Sequence, residues 1–293
     1  MSWFNGFEKI VRADAPLREF TWYRLGGPAR WLCLPRDENE LTALLQRIRE
    51  NGIDWRVLGK GANLIVRDEG FDGAVLHLRG PAFERVEIDG PLVTAGAGAD
   101  LPTLVRATLD AGLVGMEVLA GIPGTVGGAV RMNAGGRYGE IREFIRELSL
   151  LTPDAEIVDK PASEIDFAYR HTNLAGAIVL GAAFALEPGD VEAARRRHQE
   201  IWRAKYATQP PMAARSSGCI FKNPPGDAAG RLLDETGLKG TRVGGAEIST
   251  RHANFIVAGD DATAADVLNL IQLAKERVRE ATGIELQPEV EIW

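Results

Sequence analysis

Cysteine is scarce in this chain: Cys33 and Cys219 are the two in 293 residues. One bridge between them is chemically available, but a reducing compartment works against it, so the two thiols are expected to act separately. Histidine is nearly as rare. His77, His171, His198 and His252 are scattered, with no C-x-x-C or H-E-x-x-H pattern, so neither a metal site nor a Cys/His nucleophile is expected. No apolar run approaches the roughly 18 to 20 residues that span a bilayer. The N-terminus M-S-W-F-N-G-F-E-K lacks the charged head and apolar stretch of a signal peptide. Positive charge is also short, with 34 Lys and Arg against 41 Asp and Glu, which argues against a general nucleic-acid binder. The expectation is a cytoplasmic protein with no membrane, nucleic-acid or metal partner. One local exception is A-R-R-R-H-Q-E-I-W-R-A-K at 194–205, for which a solvated helix face and a phosphate-binding face are both open readings.

What is present is material for a sizeable core. Hydrophobic residues make up 45% of the chain, and a chain of this length supports two or three domains, since single cores stop growing near roughly 250 to 300 residues. Leu41, Leu44, Leu45 and Ile48 recur at helical spacing between Asp37, a plausible N-cap, and Gly52. Short apolar strands are expected at 55–58, 64–66, 74–78, 84–88 and 92–95, followed by a helix from Asp100 to Gly112. Strands return at 144–151 and 177–186. E-P-G-D at 187–190 then opens a long helix that T-Q-P-P at 208–211 stops, marking a domain boundary. Beyond it the pattern gives a helix near 227–236, a strand at 254–257, a helix near 262–281 and a final strand. The mixture is an α+β fold.

Two glycine-rich stretches stand out. In L-G-K-G-A-N-L-I-V at 58–66, Gly59 and Gly61 permit a close backbone approach to an anion, or a tight hairpin. In G-I-P-G-T-V-G-G-A-V-R-M-N-A-G-G at 121–136, six glycines in 16 residues make poor helix and poor strand, so the stretch is expected to wrap closely on something, a flat cofactor being one candidate and a structural turn the other. A dinucleotide fingerprint is absent; G-A-G-A-D at 96–100 completes only its first half.

At this point the motifs align in order: T-W-Y-R-L-G-G-P-A at 21–29, L-G-K-G-A-N-L at 58–64, G-I-P-G-T-V-G-G-A at 121–129, M-N-A-G at 132–135, Y-R at 169–170, G-C-I-F-K-N-P at 218–224 and L-Q-P-E-V at 286–290. Across nearly the whole chain this resembles the UDP-N-acetylenolpyruvoylglucosamine reductase family, also called UDP-N-acetylmuramate dehydrogenases. The resemblance implies a two-subdomain flavoprotein fold of the PCMH type, with FAD-binding subdomains at 1–80 and 81–188 and an α+β substrate-binding domain at 189–293. It implies non-covalent FAD held by Gly59, Lys60, Gly61, Ala62, Asn63, Leu64, Gly121, Ile122, Pro123, Gly124, Thr125, Gly127, Ala129 and Asn133. Only 48 residues separate Arg170 from Cys219, which is similar to the shorter subtype lacking an extra tyrosine loop. A monomer is expected.

The reaction implied is NADPH-driven reduction of the enolpyruvyl ether of UDP-N-acetylglucosamine to UDP-N-acetylmuramate, a step of peptidoglycan precursor synthesis. Flavin N5 gives hydride to C3 and the protein protonates C2. By the same resemblance Arg170 holds the substrate carboxylate, as its planar, always-charged fork suits. Glu289 is expected to be driven toward its protonated form beside that carboxylate. Cys219 stands where many family members carry the serine that donates the proton; a thiol with a pKa near about 8.5 is competent for this while it stays neutral. Tyr169, Lys222 and Asn223 are implied to bind substrate, the last two on the diphosphate side. An oxidase of small hydroxy acids and a non-catalytic nucleotide-sugar binding module remain the rival expectations.

Overall fold

In the computed structural model, which describes residues 2–293, the carboxylate of Asp37 accepts the N–H of Glu40 at 2.8 Å and opens the helix Glu38–Glu50. Met1, at the head of the N-terminal stretch read above, lies outside the described residues. The helix buries Leu41, Leu44, Leu45 and Ile48 completely, as their spacing requires. The chain folds as two units. The first takes the residues up to Ala13, Trp31–Gly59 and Gly73–Ala204; the second takes Asp14–Arg30, Lys60–Asp72 and Lys205–Trp293.

The first unit is built around an antiparallel sheet in the order Ile157–Pro161, Ile145–Leu151, Ile178–Ala185, Leu92–Gly96, Val86–Asp89. Its register aligns Leu148 with Ala182 and Ala182 with Ala95, a buried row whose small members let other backbone come close. The strand Trp55–Leu58 pairs in parallel with Phe71–His77, in a four-stranded sheet completed by Pro28–Cys33 and Val11–Pro16. Leu58 therefore ends a strand whose partner is Phe71–His77, whereas Leu64–Ile65 pairs in parallel with Glu291–Ile292. The 58–66 stretch is thus no hairpin.

The second unit packs the helix Ala264–Thr282 on the small antiparallel sheet Arg242–Val243, Ala246–Ile248, Ile256–Ala258. Val267, Leu270, Ile271, Ala274 and Val278 line its buried face, with Tyr23, Ile65, Phe221 and Leu286 in the same core. The helix starts at Thr263, whose hydroxyl accepts the N–H of Asp266 at 3.1 Å, and both oxygens of Asp68 accept the next two free amides, those of Ala264 and Ala265, at 3.0 and 2.9 Å. Among the described residues no helix is long and apolar enough to cross a membrane.

Candidate active site

The glycine-rich stretch at 121–136 differs from the expectation of poor helix and poor strand. Thr125 extends its backbone and its hydroxyl accepts the N–H of Gly128 at 3.3 Å, starting a short helix Val126–Arg131 in spite of two glycines. Tertiary hydrogen bonds supply what propensity lacks: Val126 and Gly127 donate to the carbonyls of Ala99 and Ala97 at 2.9 and 2.8 Å, and Leu101 donates to Gly124 at 3.1 Å. G-A-G-A-D at 96–100 is therefore the backbone strip on which this stretch is hung. Glycine is needed for that approach, since a Cβ on Gly127 would lie 2.9 Å from the Cβ of Ala97, and one on Gly59 would lie 2.7 Å from the Thr125 hydroxyl. Ile122 donates to Leu119 at 3.1 Å, and Ala129 to Thr125 at 2.9 Å, so Gly121, Ile122, Pro123, Gly124, Thr125, Gly127 and Ala129 form one continuous wall with Gly59 beside it.

Asn133 ends that wall in the left-handed region at φ 40° and is fully buried. Its Nδ2 donates to Glu140 at 2.8 Å and to the carbonyl of Ala168 at 3.1 Å. Its Oδ1 is sealed from water with no donor among the described residues, a state that costs roughly 1–3 kcal/mol. The glycine-rich stretch packs on Ala97, and its Thr125 on Gly59, on one side, while nothing lies within 4 Å of a Cβ on Gly124, which leaves open backbone that fits a flat cofactor such as FAD. The Ala168 contact also anchors the hairpin of Asp166–Ala168 with His171–Asn173, and Thr172 donates to the carbonyl of Val130 at 2.6 Å. At its two-residue turn Arg170 sits at φ 55°, with its guanidinium 4.9 Å from the centre of the Tyr169 ring, so both implied substrate residues are held from Val130 and Asn133.

The second unit assembles the other candidates. Gly61, at φ 62°, passes so close to Phe20 that a Cβ would lie 2.2 Å from its carbonyl oxygen, and Trp22 donates to the Gly61 carbonyl at 3.1 Å. Lys60 is exposed and Ala62 half-buried on the same turn. Asn63 donates through Nδ2 to the carbonyl of Glu289 at 3.1 Å, its own carbonyl accepts from Glu291 at 3.1 Å, and Leu64 is in register with Glu291. Glu289 in turn donates its N–H to Ile220 at 2.7 Å, and Lys222 donates to Gln287 at 2.9 Å. Cys219 and Glu289 are thereby brought onto two adjoining stretches of backbone; both are half-buried. Neither cysteine forms a disulfide. The side-chain oxygen of Asn223 accepts the N–H of Ala229 at 3.0 Å, capping the helix Ala229–Glu235. That capping use was not foreseen in the sequence.

Three residues that the sequence reading passed over support this assembly. Arg215 donates to the carbonyls of Tyr23 and Arg24 at 2.9 and 3.3 Å, and the buried Tyr23 hydroxyl donates to Ile256 at 3.0 Å. Burial pushes the Tyr23 phenol far above its usual value. Asn254 grips Phe221 on both backbone groups. No motif marks Asn254, because its partner is 33 residues away. The basic run at 194–205 is partly paired within the first unit: Arg195 meets Asp110 at 2.6 Å and Arg197 meets Glu117 at 3.7 Å, while Arg196 and Arg197 line a cavity of about 580 Å³ with Tyr138 and Ile201.

Comparison with known proteins accords with this arrangement. The family described as FAD binding domain matches residues 29–160, and that described as UDP-N-acetylenolpyruvoylglucosamine reductase, C-terminal domain, matches residues 209–293. UDP-N-acetylenolpyruvoylglucosamine reductase of Heliobacterium modesticaldum is 43% identical over 280 residues, 94% of this chain and 88% of its own. The crystal structure of the reductase from Thermus caldophilus superposes with a TM-score of 0.84 at 41% identity, covering 97% of this chain and 99% of that one. A variant of Phl p 4, a glucose oxidase, reaches a TM-score of 0.51 at 19% identity over 65% of this chain and 45% of its own, a likeness of fold alone. The chain belongs to the UDP-N-acetylenolpyruvoylglucosamine reductase family, FAD-dependent oxidoreductases acting on a small-molecule substrate.

Proposed function

We propose that the protein uses NADPH to reduce the enolpyruvyl ether of UDP-N-acetylglucosamine to UDP-N-acetylmuramate, for peptidoglycan precursor synthesis, with Cys219 as the proton donor. Residues 1–80 and 81–188 are the flavin-binding subdomains and 189–293 the substrate-binding domain. FAD, when bound and reduced by NADPH, would supply the hydride for C3 of the substrate. Gly59 to Leu64, Gly121 to Thr125, Gly127, Ala129 and Asn133 would hold the cofactor. Arg170 binds the substrate carboxylate and gains in interaction as negative charge builds there. Its left-handed turn keeps the guanidinium over Tyr169, which lines the substrate. Glu289, protonated beside that carboxylate, donates a hydrogen bond to it. Cys219 transfers its S–H proton to C2, and Lys222 and Asn223 hold the diphosphate.

The observation that carries this reading is the 2.7 Å hydrogen bond from Glu289 to Ile220, which holds the donor segment and the carboxyl-bearing strand side by side. The test separates the two half-reactions anaerobically. Cys219→Ala should bleach with NADPH at the parent rate and reoxidise with the enolpyruvyl substrate about 100-fold more slowly or worse, while Cys219→Ser retains much of the parent rate. Reoxidation of Cys219→Ala at the parent rate would remove the donor assignment, and a chain that NADPH does not bleach at all would remove the reaction.

A further inference from the structure

The segment carrying Cys219 has almost no regular structure of its own. Gly218 turns the chain at φ 78°, and Phe221 forms an isolated antiparallel bridge with Pro288. On one edge the segment is tied to the strand-like stretch 287–290 by the bonds from Glu289 to Ile220 and from Lys222 to Gln287. On the other edge, among the described residues, no strand pairs with 219–222, and Asn254 takes a strand's place. The carboxamide of Asn254, only 3% exposed, accepts the N–H of Phe221 at Oδ1 at 2.9 Å and donates from Nδ2 to the carbonyl of Phe221 at 2.8 Å. Its main-chain carbonyl accepts the N–H of Ile220 at 2.9 Å. Asn254 is itself fixed, since its N–H donates to Nδ1 of His252 at 3.2 Å and it leads into the strand Ile256–Ala258.

We infer that Asn254 is the positioning residue for the proton donor: its side chain stands in for a neighbouring strand and sets where the Cys219 sulfur lies relative to Glu289. An amide is required because one donor and one acceptor must face the two backbone groups of a single residue at once; a carboxylate would set an oxygen against the Phe221 carbonyl, and an aliphatic residue would leave both groups buried and unpaired. The inference rests on Cys219 being the donor.

The experiment measures both half-reactions on the FAD-loaded enzyme, with NADPH and then the enolpyruvyl ether of UDP-N-acetylglucosamine. Asn254→Ala should bleach with NADPH within about twofold of the parent and reoxidise about 10- to 100-fold more slowly, the scale set by a donor misplaced by a fraction of an ångström to about 1 Å. Added to Cys219→Ala, it should slow reoxidation no further, because it acts through the thiol. Asn254→Asp should reoxidise slowly at neutral pH and recover relative to the parent as the pH is lowered, since a protonated carboxyl restores both a donor and an acceptor. A folded Asn254→Ala that reoxidises at the parent rate, or one that loses both half-reactions equally, overturns the inference. If the alanine variant does not fold, absence of acid recovery in Asn254→Asp overturns it. If Cys219→Ala itself reoxidises at the parent rate, it is the donor reading that has failed; if Cys219→Ala is slow while Asn254→Ala is not, only the positioning role has.

Discussion

Glu289 and Ile220 are joined by a hydrogen bond of 2.7 Å from the amide of the first to the carbonyl of the second, so the proposed acid lies across one backbone bond from the residue that follows the proposed donor Cys219. Neighbouring extended chains lie about 4.7–4.9 Å apart, and this spacing does not depend on either side chain's rotamer. Asn63 extends the arrangement by a further step, donating to the Glu289 carbonyl from the turn that leads out of Gly61. Asn63 and the C-terminal stretch at 289–292 are therefore tied at the residue level within the second unit.

Asn63→Ala removes the side-chain hydrogen bond that Asn63 makes to the Glu289 carbonyl. It should lower stability by about 1 kcal/mol, the usual net value for such a bond, read as a lower urea midpoint. The larger effect should fall on reoxidation by the enolpyruvyl substrate, as the Glu289 backbone loses its fixed position. An unchanged midpoint together with unchanged reoxidation would show that the bond does not hold the strand.

The two thiols should separate cleanly toward a disulfide reagent. Cys33 is completely buried, and burial pushes its thiol up to about 12, so almost no thiolate exists at neutral pH. Cys219 is half-buried. Ellman titration of the native enzyme should count one thiol and the denatured chain two; one native thiol that survives Cys219→Ser would reverse the assignment.

Much of this was legible in the sequence where local signals agree. Asp37 and the Leu41, Leu44, Leu45, Ile48 spacing mark a helix that the structure caps at Asp37, and the long helix expected near 262–281 is Ala264–Thr282. What was not legible depends on partners far along the chain. The helix Val126–Arg131 contains two glycines, and its stability comes from Ala97 and Ala99. Asn254 reads as the first residue of a strand at 254–257, whereas the strand begins at Ile256 and the Asn254 side chain bonds Phe221. The motifs located the candidate residues; the bonds that couple Asn63, Glu289, Ile220 and Asn254 are a tertiary property with no period or spacing to announce them.

Gly61 and Gly90 test whether close approach or backbone sign is the stricter demand. Both have positive φ, 62° and 55°, but a Cβ on Gly61 would lie 2.2 Å from the Phe20 carbonyl oxygen, whereas nothing lies within 4 Å of one on Gly90. Gly90→Ala should cost about 1–2 kcal/mol for the left-handed backbone alone. Gly61→Ala should add overpacking of about 1–3 kcal/mol and lower the thermal midpoint further. Equal midpoints would mean that the Phe20 backbone yields freely.

The last prediction concerns acid stability. His77 ends the strand Phe71–His77 and is 5% exposed. Burial, with the Arg79 guanidinium acting in the same direction, pulls its imidazole down to about 4. Unfolded, the same group titrates near about 6.5. Between these values the unfolded chain binds a proton that the folded chain does not, so the contribution to stability is full above about 6.5 and is lost as the pH falls toward 4. At about 1.4 kcal/mol per pH unit the loss at pH 5 is about 2 kcal/mol. Urea midpoints at neutral and mildly acid pH should fall more for the parent than for His77→Gln, which has no proton to bind. Curves that stay parallel would show that the folded imidazole accepts its proton as readily as the unfolded one.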